Sequence, residues 1–275
     1  MIQSVAIQGV KGSFHHIVAQ NYFSENVIVQ ECLSFDATVN SVLNKESDAA
    51  IMALENSIAG SIIPNYALID ANQLYIVGEQ YTDVQHNLMA LNGQTIADIK
   101  EVYSHPMALL QCKEFLKKHS HIKLIEDKDT AEVAQRIQKN ALKGIAAIAS
   151  KKAAHIFNLN ILAESIQTIK HNETRFVVVK RENHRMPVET INKASVKFEL
   201  GNKRGSLATV LNLMSDCKLN LTKIQSLPKI DVPWTYAFFV DVTFEDYAYF
   251  DKAKSVLEIM AQEFKILGTY KNAKL

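Results

Sequence analysis

The feature that most constrains this fold is an alternation. From residue 1 to about 180, short apolar runs of strand length are separated by stretches with helical periodicity. "SVAIQG" reads as a strand and precedes the helix-like "HHIVAQNYF", while "VIVQECL" and "DAAIMALEN" bracket the helix-like "DATVNSVLNKES". "EVYSH", the amphipathic "MALLQCKEFLKKH", "IKLIED", "TAEVAQRIQKN" and "GIAAIAS" continue the series. A chain in this order is expected to form α/β layers with largely parallel strands, because parallel neighbours need crossover helices. Ligands of such folds bind at the carboxyl ends of strands, beside helix N-termini.

The alternation stops at "RENHRMPVETINK", residues 181–193, which is polar, contains Pro187 and has neither period. Beyond it the order is strand, helix, strand, strand, helix, strand: "SVKFEL", "SLATVLNLMSDC", "NLTKIQSLP", "TYAFFVDVTF", "KAKSVLEIMAQEF" and "KILGTY". Leu207, Val210, Leu211, Met214 and Cys217 fall on one helical stripe, and Ala253, Val256, Leu257, Met260 and Phe264 on another. Two helices over one face of an antiparallel sheet give a ferredoxin-like βαββαβ domain. The expected division is 1–181, a linker at 182–193, and 194–275. "TYAFFVDV" carries apolar residues on both faces (Tyr236, Phe238 and Val240; Ala237 and Phe239 beside Asp241), so the second face should also be buried, most simply against another subunit. An oligomer, dimer or tetramer, is expected.

Thirty Lys and Arg against 29 Asp and Glu leave a net charge of +1, which offers no footprint for nucleic acid. An anionic substrate would therefore be held by local groups. Cys32, Cys112 and Cys217 stand far apart without a CxxC, which suits a reducing cytoplasm. No export signal opens the chain and no run of about 18 apolar residues could span a bilayer.

Several stretches place small polar residues directly after a strand. In "GVKGSF", Gly9 and Gly12 would let a ligand approach the backbone and Ser13 would cap the next helix; the spacing fits no nucleotide motif. "LENSIAGSI" concentrates Glu55, Asn56, Ser57 and Ser61 around Gly60, denser than a turn that merely ends a strand requires. In "YSHPMALLQC", Ser104 is the expected cap, Pro106 takes the first turn and His105 sits at the loop tip. Thr130 of "DTAEVAQ" is a further capping hydroxyl, and "TRF" puts Thr174 and Phe176 on one face of a strand with Arg175 on the other. Taken alone, the last reads as a strand mouth with a solvated arginine. No nucleophile stands beside an evident base, no carboxylates pair at a telling interval, and the histidines lack metal-binding spacing. Hydroxyls, amides and helix N-termini form a kit for holding carboxylates. On spacing alone, the chain binds a small anion between two α/β lobes, with the chemistry open.

In this order the segments resemble prephenate dehydratase, followed by the ACT regulatory domain usually fused to it, over nearly the whole chain. "GVKGSF" is similar to the family's GPxGTF, "LENSIAGS" to PIENSxxGS, "SHPMAL" to SHPQAL, "DTAEVA" to STAxAA, and "NETRF" to NxTRF. The resemblance implies a two-lobed, periplasmic-binding-protein-like catalytic domain holding prephenate in its cleft. It also implies dehydration with decarboxylation to phenylpyruvate, without metal or organic cofactor. Because the sequence begins at the first strand, the chorismate mutase domain that precedes some relatives is expected to be absent. Thr174 matches the essential threonine and would donate a hydrogen bond to the departing hydroxyl. Arg175 would clamp a carboxylate or lock the lobes, and Asn56 joins them as a catalytic candidate. Ser13, Glu55, Ser57, Gly60, Ser61, His105 and Phe176 are the substrate-binding candidates.

Two departures from the pattern stand out. Met107 replaces the usual Gln after His-Pro, and "GSLA" and "QSLP" stand for the phenylalanine-binding motifs GALV and ESRP, with Gln225 and Leu227 in place of Glu and Arg. Asn202, Gly205, Ser206, Leu207, Gln225 and Ser226 are the resulting candidates for a phenylalanine effector site. Arogenate dehydratase, on the same scaffold, and a catalytically silent amino-acid sensor remain as alternatives.

Overall fold

The computed structural model describes residues 4–183, 186–229, 232 and 234–274. In chain order the elements are β1 (Ser4–Gln8), α1 (Phe14–Tyr22), β2 (Ile28–Cys32), α2 (Phe35–Leu43), β3 (Ala49–Asn56), β4 (Gly60–Ser61), α3 (Ile63–Ala71) and β5 (Tyr75–Asp83). Next come β6 (Asn87–Ala90), β7 (Glu101–Ser104), α4 (Pro106–Gln111), α5 (Lys113–Lys117), β8 (Lys123–Glu126), α6 (Thr130–Lys139), β9 (Ile145–Ala149), α7 (Lys151–Ile156), β10 (Asn160–Ala163) and β11 (Glu173–Lys180). The chain ends with β12 (Lys193–Glu199), α8 (Ser206–Asp216), β13 (Asn220–Pro228), β14 (Tyr236–Thr243), α9 (Tyr247–Met260) and β15 (Glu263–Tyr270). By its contacts the chain divides into two compact units, one with the residues up to Gly60 and Tyr81–Phe176, the other with Ser61–Gln80 and the residues from Val177 on. Of the expected linker, His184 and Arg185 lie outside the described residues.

The first unit is two-lobed and of the periplasmic-binding-protein kind. In one lobe β1 lies parallel between β2 and β3, and the beginning of β11 follows β3. β3 is apolar on both faces because α1 packs on it along with α2, and Ala49–Leu54 are all buried. The second lobe is a five-stranded sheet of order β10-β6-β9-β7-β8. Its two apolar cores centre on Val102, Leu109 and Ile148 on one side and on Val133, Ile137 and Ala147 on the other. The chain passes to the second lobe just before β6 and returns just before β11. There the Val84 N–H donates to the Asn172 carbonyl at 2.6 Å.

In the second unit an antiparallel sheet of order β13-β14-β12-β15 carries α8 and α9 on one face, the ferredoxin-like arrangement expected. Ala194, Val196, Phe198, Val240 and Val242 meet Val210, Met214, Phe250, Ala253 and Leu257. α9 stops at Met260, so Met260 is 39% exposed and Phe264 packs on the core from β15, outside the helical stripe expected for both.

The opposite face shows β12 alternating into Lys193, Ser195, Lys197 and Glu199, all buried. Another subunit was the expected cover, but segment 61–80 of the same chain provides it. The Tyr66 ring meets Phe239 edge-on at 5.6 Å, and Lys193 donates to both carboxylate oxygens of Glu79 at 2.9 and 2.8 Å. Lys197 and Lys265 reach Asp70 at 2.9 and 2.6 Å. Gly268 passes so close to β5 that an added Cβ would lie 2.0 Å from the Ile76 carbonyl oxygen. Among the described residues, no helix is long and apolar enough to cross a membrane.

Candidate active site

The site is built where β3 ends beside the start of β11. Asn56 closes β3 with its side chain folded onto its own loop: Oδ1 accepts the N–H groups of Ile58 at 3.0 Å and Ala59 at 2.8 Å. An Asx turn of this kind holds the loop without a larger side chain. The Asn56 amide then donates across to Asn172 Oδ1 at 2.7 Å and Thr174 Oγ1 at 2.9 Å, with a longer contact to the Glu173 carbonyl at 3.3 Å. Ser57 fastens the same two segments, its N–H on the Glu173 carbonyl at 2.8 Å and its Oγ accepting the Glu173 N–H at 3.0 Å. Asn56 thus spends its donors on protein and positions Thr174. The Ser57 hydroxyl keeps its hydrogen and is exposed.

Thr174 is buried and takes Asn56's hydrogen bond as an acceptor, so its own hydrogen is left to donate. Arg175, on the other face of β11, is 3% exposed, which removes the reading of a solvated arginine at a strand mouth. Phe176 shares Thr174's face and is buried edge-on against His15, centroids 5.0 Å apart. Burial drives the His15 pKa down to about 3, so this imidazole is neutral and acts as wall.

The glycine loop after β1 answers to protein contact. A Cβ at Gly12 would lie 2.8 Å from the Ala153 Cα, and one at Gly9 would lie 2.7 Å from Asp129 Oδ2. The closeness expected for a ligand is used here to bring the first lobe against α6 and α7. Ser13 caps α1, accepting the His16 N–H at 3.2 Å. Two expected caps change hands. Asp129 caps α6, accepting from Ala131 and Glu132 at 2.9 and 2.8 Å, and Thr130 is the first helical residue. Burial pushes the Asp129 carboxyl above its ordinary range. His105 caps α4 through Nδ1, which accepts the Met107 N–H at 3.2 Å, while Ser104 is buried and donates to the Ile148 carbonyl at 2.7 Å. His105 and Met107 are both exposed, and Glu55 is half-buried at the end of β3. Gly60, the first residue of β4, adopts φ +82°. Ser61 belongs to the second unit, where its Oγ accepts from Lys223.

The network extends to residues that motif reading passed over. Asn172 donates to Gln111 Oε1 at 2.9 Å, and His86 Nε2 meets the same oxygen at 2.8 Å. Asn172 lies within "NETRF" and Gln111 within "YSHPMALLQC", so spacing from the matched motifs could have raised both; His86 has no local signal. Among the described residues, no cluster of three His, Cys, Asp or Glu could hold a metal ion.

Of the effector candidates, Asn202, Ser206 and Leu207 line one small cavity of about 130 Å3 together with Trp234, Tyr236 and Phe238. Gly205 opens α8 at φ +82° beside it. Gln225 and Ser226 lie on β13 outside that lining, and the Gln225 amide donates to the Ser226 carbonyl at 2.9 Å.

The prephenate dehydratase family profile matches residues 5–184. A bifunctional chorismate mutase/prephenate dehydratase of Buchnera aphidicola is 31% identical over 97% of this chain and 70% of its own length. An arogenate dehydratase/prephenate dehydratase of Arabidopsis thaliana is 36% identical, covering 97% of this chain and 72% of that one. A solved prephenate dehydratase from Arthrobacter aurescens, in complex with L-Phe, shares the fold with a TM-score of 0.88 at 24% identity, over 98% of this chain and 90% of that one. With its matched profile, its two lobes and Thr174 held at the junction of β3 and β11, this chain belongs to the prephenate dehydratase family.

Proposed function

We propose that this protein converts prephenate to phenylpyruvate, in the branch leading to phenylalanine. In the reaction the bond to the ring carboxylate breaks, its electron pair enters the ring, and the ring C–O bond opposite breaks. CO2 departs, and the hydroxyl leaves as water after gaining one proton. The enzyme needs no nucleophile for this. It must orient a dianion and assist the departing oxygen while leaving the scissile carboxylate weakly held. The observation that carries the reading is the direction of the Asn56 to Thr174 hydrogen bond, which keeps Thr174's hydrogen available as the donor to that oxygen. Arg175, on the opposite face of β11, is assigned a carboxylate clamp or a lock on the lobes. Ser13, Ser57, Gly60 and His105 supply loop and helix-terminal donors, with Glu55 and Phe176 shaping the site.

Phenylalanine is the proposed effector, at the cavity beside Asn202, Gly205, Ser206 and Leu207, with Gln225 and Ser226 contributing from a second copy. β13 is an edge strand that exposes Leu221 and Ile224, the natural seam for that copy. A cytoplasmic location accords with the buried, free cysteines. The name of the Arabidopsis relative supports arogenate as the second substrate to try. Purified protein assayed on prephenate and arogenate side by side, with and without phenylalanine, tests the reading. Turnover of prephenate is expected; turnover of arogenate alone would reassign the substrate, and turnover of neither would leave a sensor.

A further inference from the structure

The hydrogen-bond directions around Thr174 can be read one after another from a fixed starting point. Asn56 Oδ1 faces the backbone N–H groups of Ile58 and Ala59, which can only donate, so the end of its amide that faces Asn172 and Thr174 is the –NH2. Asn172 must meet that –NH2 with Oδ1, which turns its own –NH2 toward Gln111 Oε1. That oxygen therefore accepts again from His86 Nε2 at 2.8 Å. The His86 hydrogen is thereby placed on Nε2, and Nδ1 carries a bare lone pair. Among the described residues Nδ1 is buried with no hydrogen-bond partner, and His86 as a residue is 3% exposed.

A buried acceptor without a partner is costly, so the fold retains this histidine for what its other nitrogen does. We propose that His86 and Gln111 are positioning residues for Thr174: the Nε2–H of His86 fixes the Gln111 amide, Gln111 fixes Asn172, and Asn172 holds the Asn56 –NH2 on the Thr174 oxygen. If Gln111 turned over, Asn172 could follow and face Asn56 donor to donor, and the Asn56 amide would lose its place. Thr174 would then be free to spend its hydrogen on protein. The chain carries no charge, and an imidazolium would present the same Nε2–H, so the role requires no titration. It also joins the lobes, since Asn56 and Thr174 belong to β3 and β11 whereas Gln111 ends α4 and His86 precedes β6.

The inference rests on the prephenate reaction proposed above, and the full chain tests it with His86→Leu and His86→Gln on prephenate. His86→Leu is expected to lower kcat by about tenfold or more, with KM changed by less than about threefold, because a donor is misplaced and not a binding group. His86→Gln returns an N–H near the Nε2 position and should recover most of kcat. Nitrogen NMR of labelled histidine should show His86 protonated on Nε2. A folded His86→Leu with full kcat, equal losses in both variants, or a hydrogen found on Nδ1 would each overturn the proposal. Wild-type protein inactive on both substrates would instead remove the reaction, leaving the NMR result to decide the tautomer.

Discussion

The seam that holds Thr174 is built from neutral groups, whereas the seam beneath the ferredoxin-like sheet is built from charges. In the first, two asparagines, a glutamine and a neutral imidazole pass one hydrogen-bond direction from residue to residue. In the second, Lys193 sits on Glu79, Lys197 reaches Asp70, Glu199 and Glu263, and Lys265 returns to Asp70. Ser195 shares the second seam, donating to Asp241 and lying 2.6 Å from the Tyr270 hydroxyl. Amides have a donor end and an acceptor end, so a chain of them specifies orientation while leaving the local charge to a dianionic substrate. Ion pairs specify proximity, and they glue a sheet face to α3 and β5 without telling a hydroxyl which way to point. The chemistry of each seam follows from what it has to fix.

The sharpest break is expected at Glu79. Its side chain and that of Lys193 are 0% and 4% exposed, so Glu79→Gln leaves a buried ammonium without its carboxylate. Removing one partner of such a pair typically costs about 3–5 kcal/mol, and replacing both with apolar residues is often neutral. Chemical denaturation should therefore find Glu79→Gln strongly destabilised and a Glu79→Leu/Lys193→Met double variant largely restored. A double variant as weak as the single one would show that the seam is not held by its charges.

In the neutral seam the large effect appears in rate. Thr174→Ala removes one preorganised donor to developing charge, a loss of roughly 3–4 kcal/mol, or on the order of a hundred- to a thousandfold in kcat. Thr174→Ser keeps the hydroxyl and should keep substantial activity. Steady-state kinetics decide the matter, and a Thr174→Ala enzyme near wild-type kcat would remove the hydroxyl from the chemistry.

The two seams also differ in how far the sequence disclosed them. Alternation between strand and helix periods pointed to the lobed α/β region and the βαββαβ region, because each burial pattern repeats many times, but it missed the antiparallel pairing of β6 with β9 and β10 in the second lobe. Thr174, Arg175 and Asn56 stood in matched motifs. The lock on Thr174 did not, since Gln111 and His86 reach it only through contacts 61 and 25 residues apart in sequence. The charged seam was hidden for another reason. Burial of this sheet face was expected from the apolar residues of β14, but its charged lining and its cover were not: the return of segment 61–80 makes Lys193, Ser195, Lys197 and Glu199 interior. The capping exchange between Thr130 and Asp129 turned on a single residue, a distance at which helix starts cannot be assigned from pattern.

Acid should separate the regions. His15 is held neutral by burial down to about pH 3, and burial lowers His86 as well, although Gln111's hydrogen bond opposes it. Below the ordinary histidine value of 6.5 the unfolded chain binds protons that the folded one refuses, so stability falls as pH drops from there. By pH 5 His15 alone accounts for about 2 kcal/mol. Asp70 behaves differently. Burial raises its carboxyl, but Lys265 and Lys197 outweigh that and hold it below 3.8, so its contribution is present above that pH and lost as pH falls through the lowered value. Lys197 is lowered by burial and raised more by Asp70 and Glu263, so its contribution is intact below 10.5 and lost as pH rises through the raised value. The charged seam should thus ignore the range in which the histidines respond. Melting curves at pH 7 and pH 5 should show a fall in Tm that is smaller in His15→Leu; an unchanged fall would sink the assignment to His15.

The smallest effect is expected at Gly205, one of a pair of glycines with the same backbone requirement and different surroundings. Gly12 in the first unit has φ +91° and Gly205 in the second has φ +82°. An alanine at either position must sit in the left-handed region, at a cost of roughly 1–2 kcal/mol. At Gly205 that is the whole cost, because among the described residues nothing lies within 4 Å of the added Cβ. At Gly12 the Cβ would stand 2.8 Å from the Ala153 Cα, a backbone atom that can move only if the loop and α7 separate. Such overpacking adds about 1–3 kcal/mol, and it acts where the two lobes meet. Gly205→Ala should therefore lower Tm slightly and leave kcat alone, while Gly12→Ala should lower Tm further and disturb turnover as well. Equal losses of stability at the two sites would mean that backbone strain alone governs both, and that the close approach at Ala153 carries no energy.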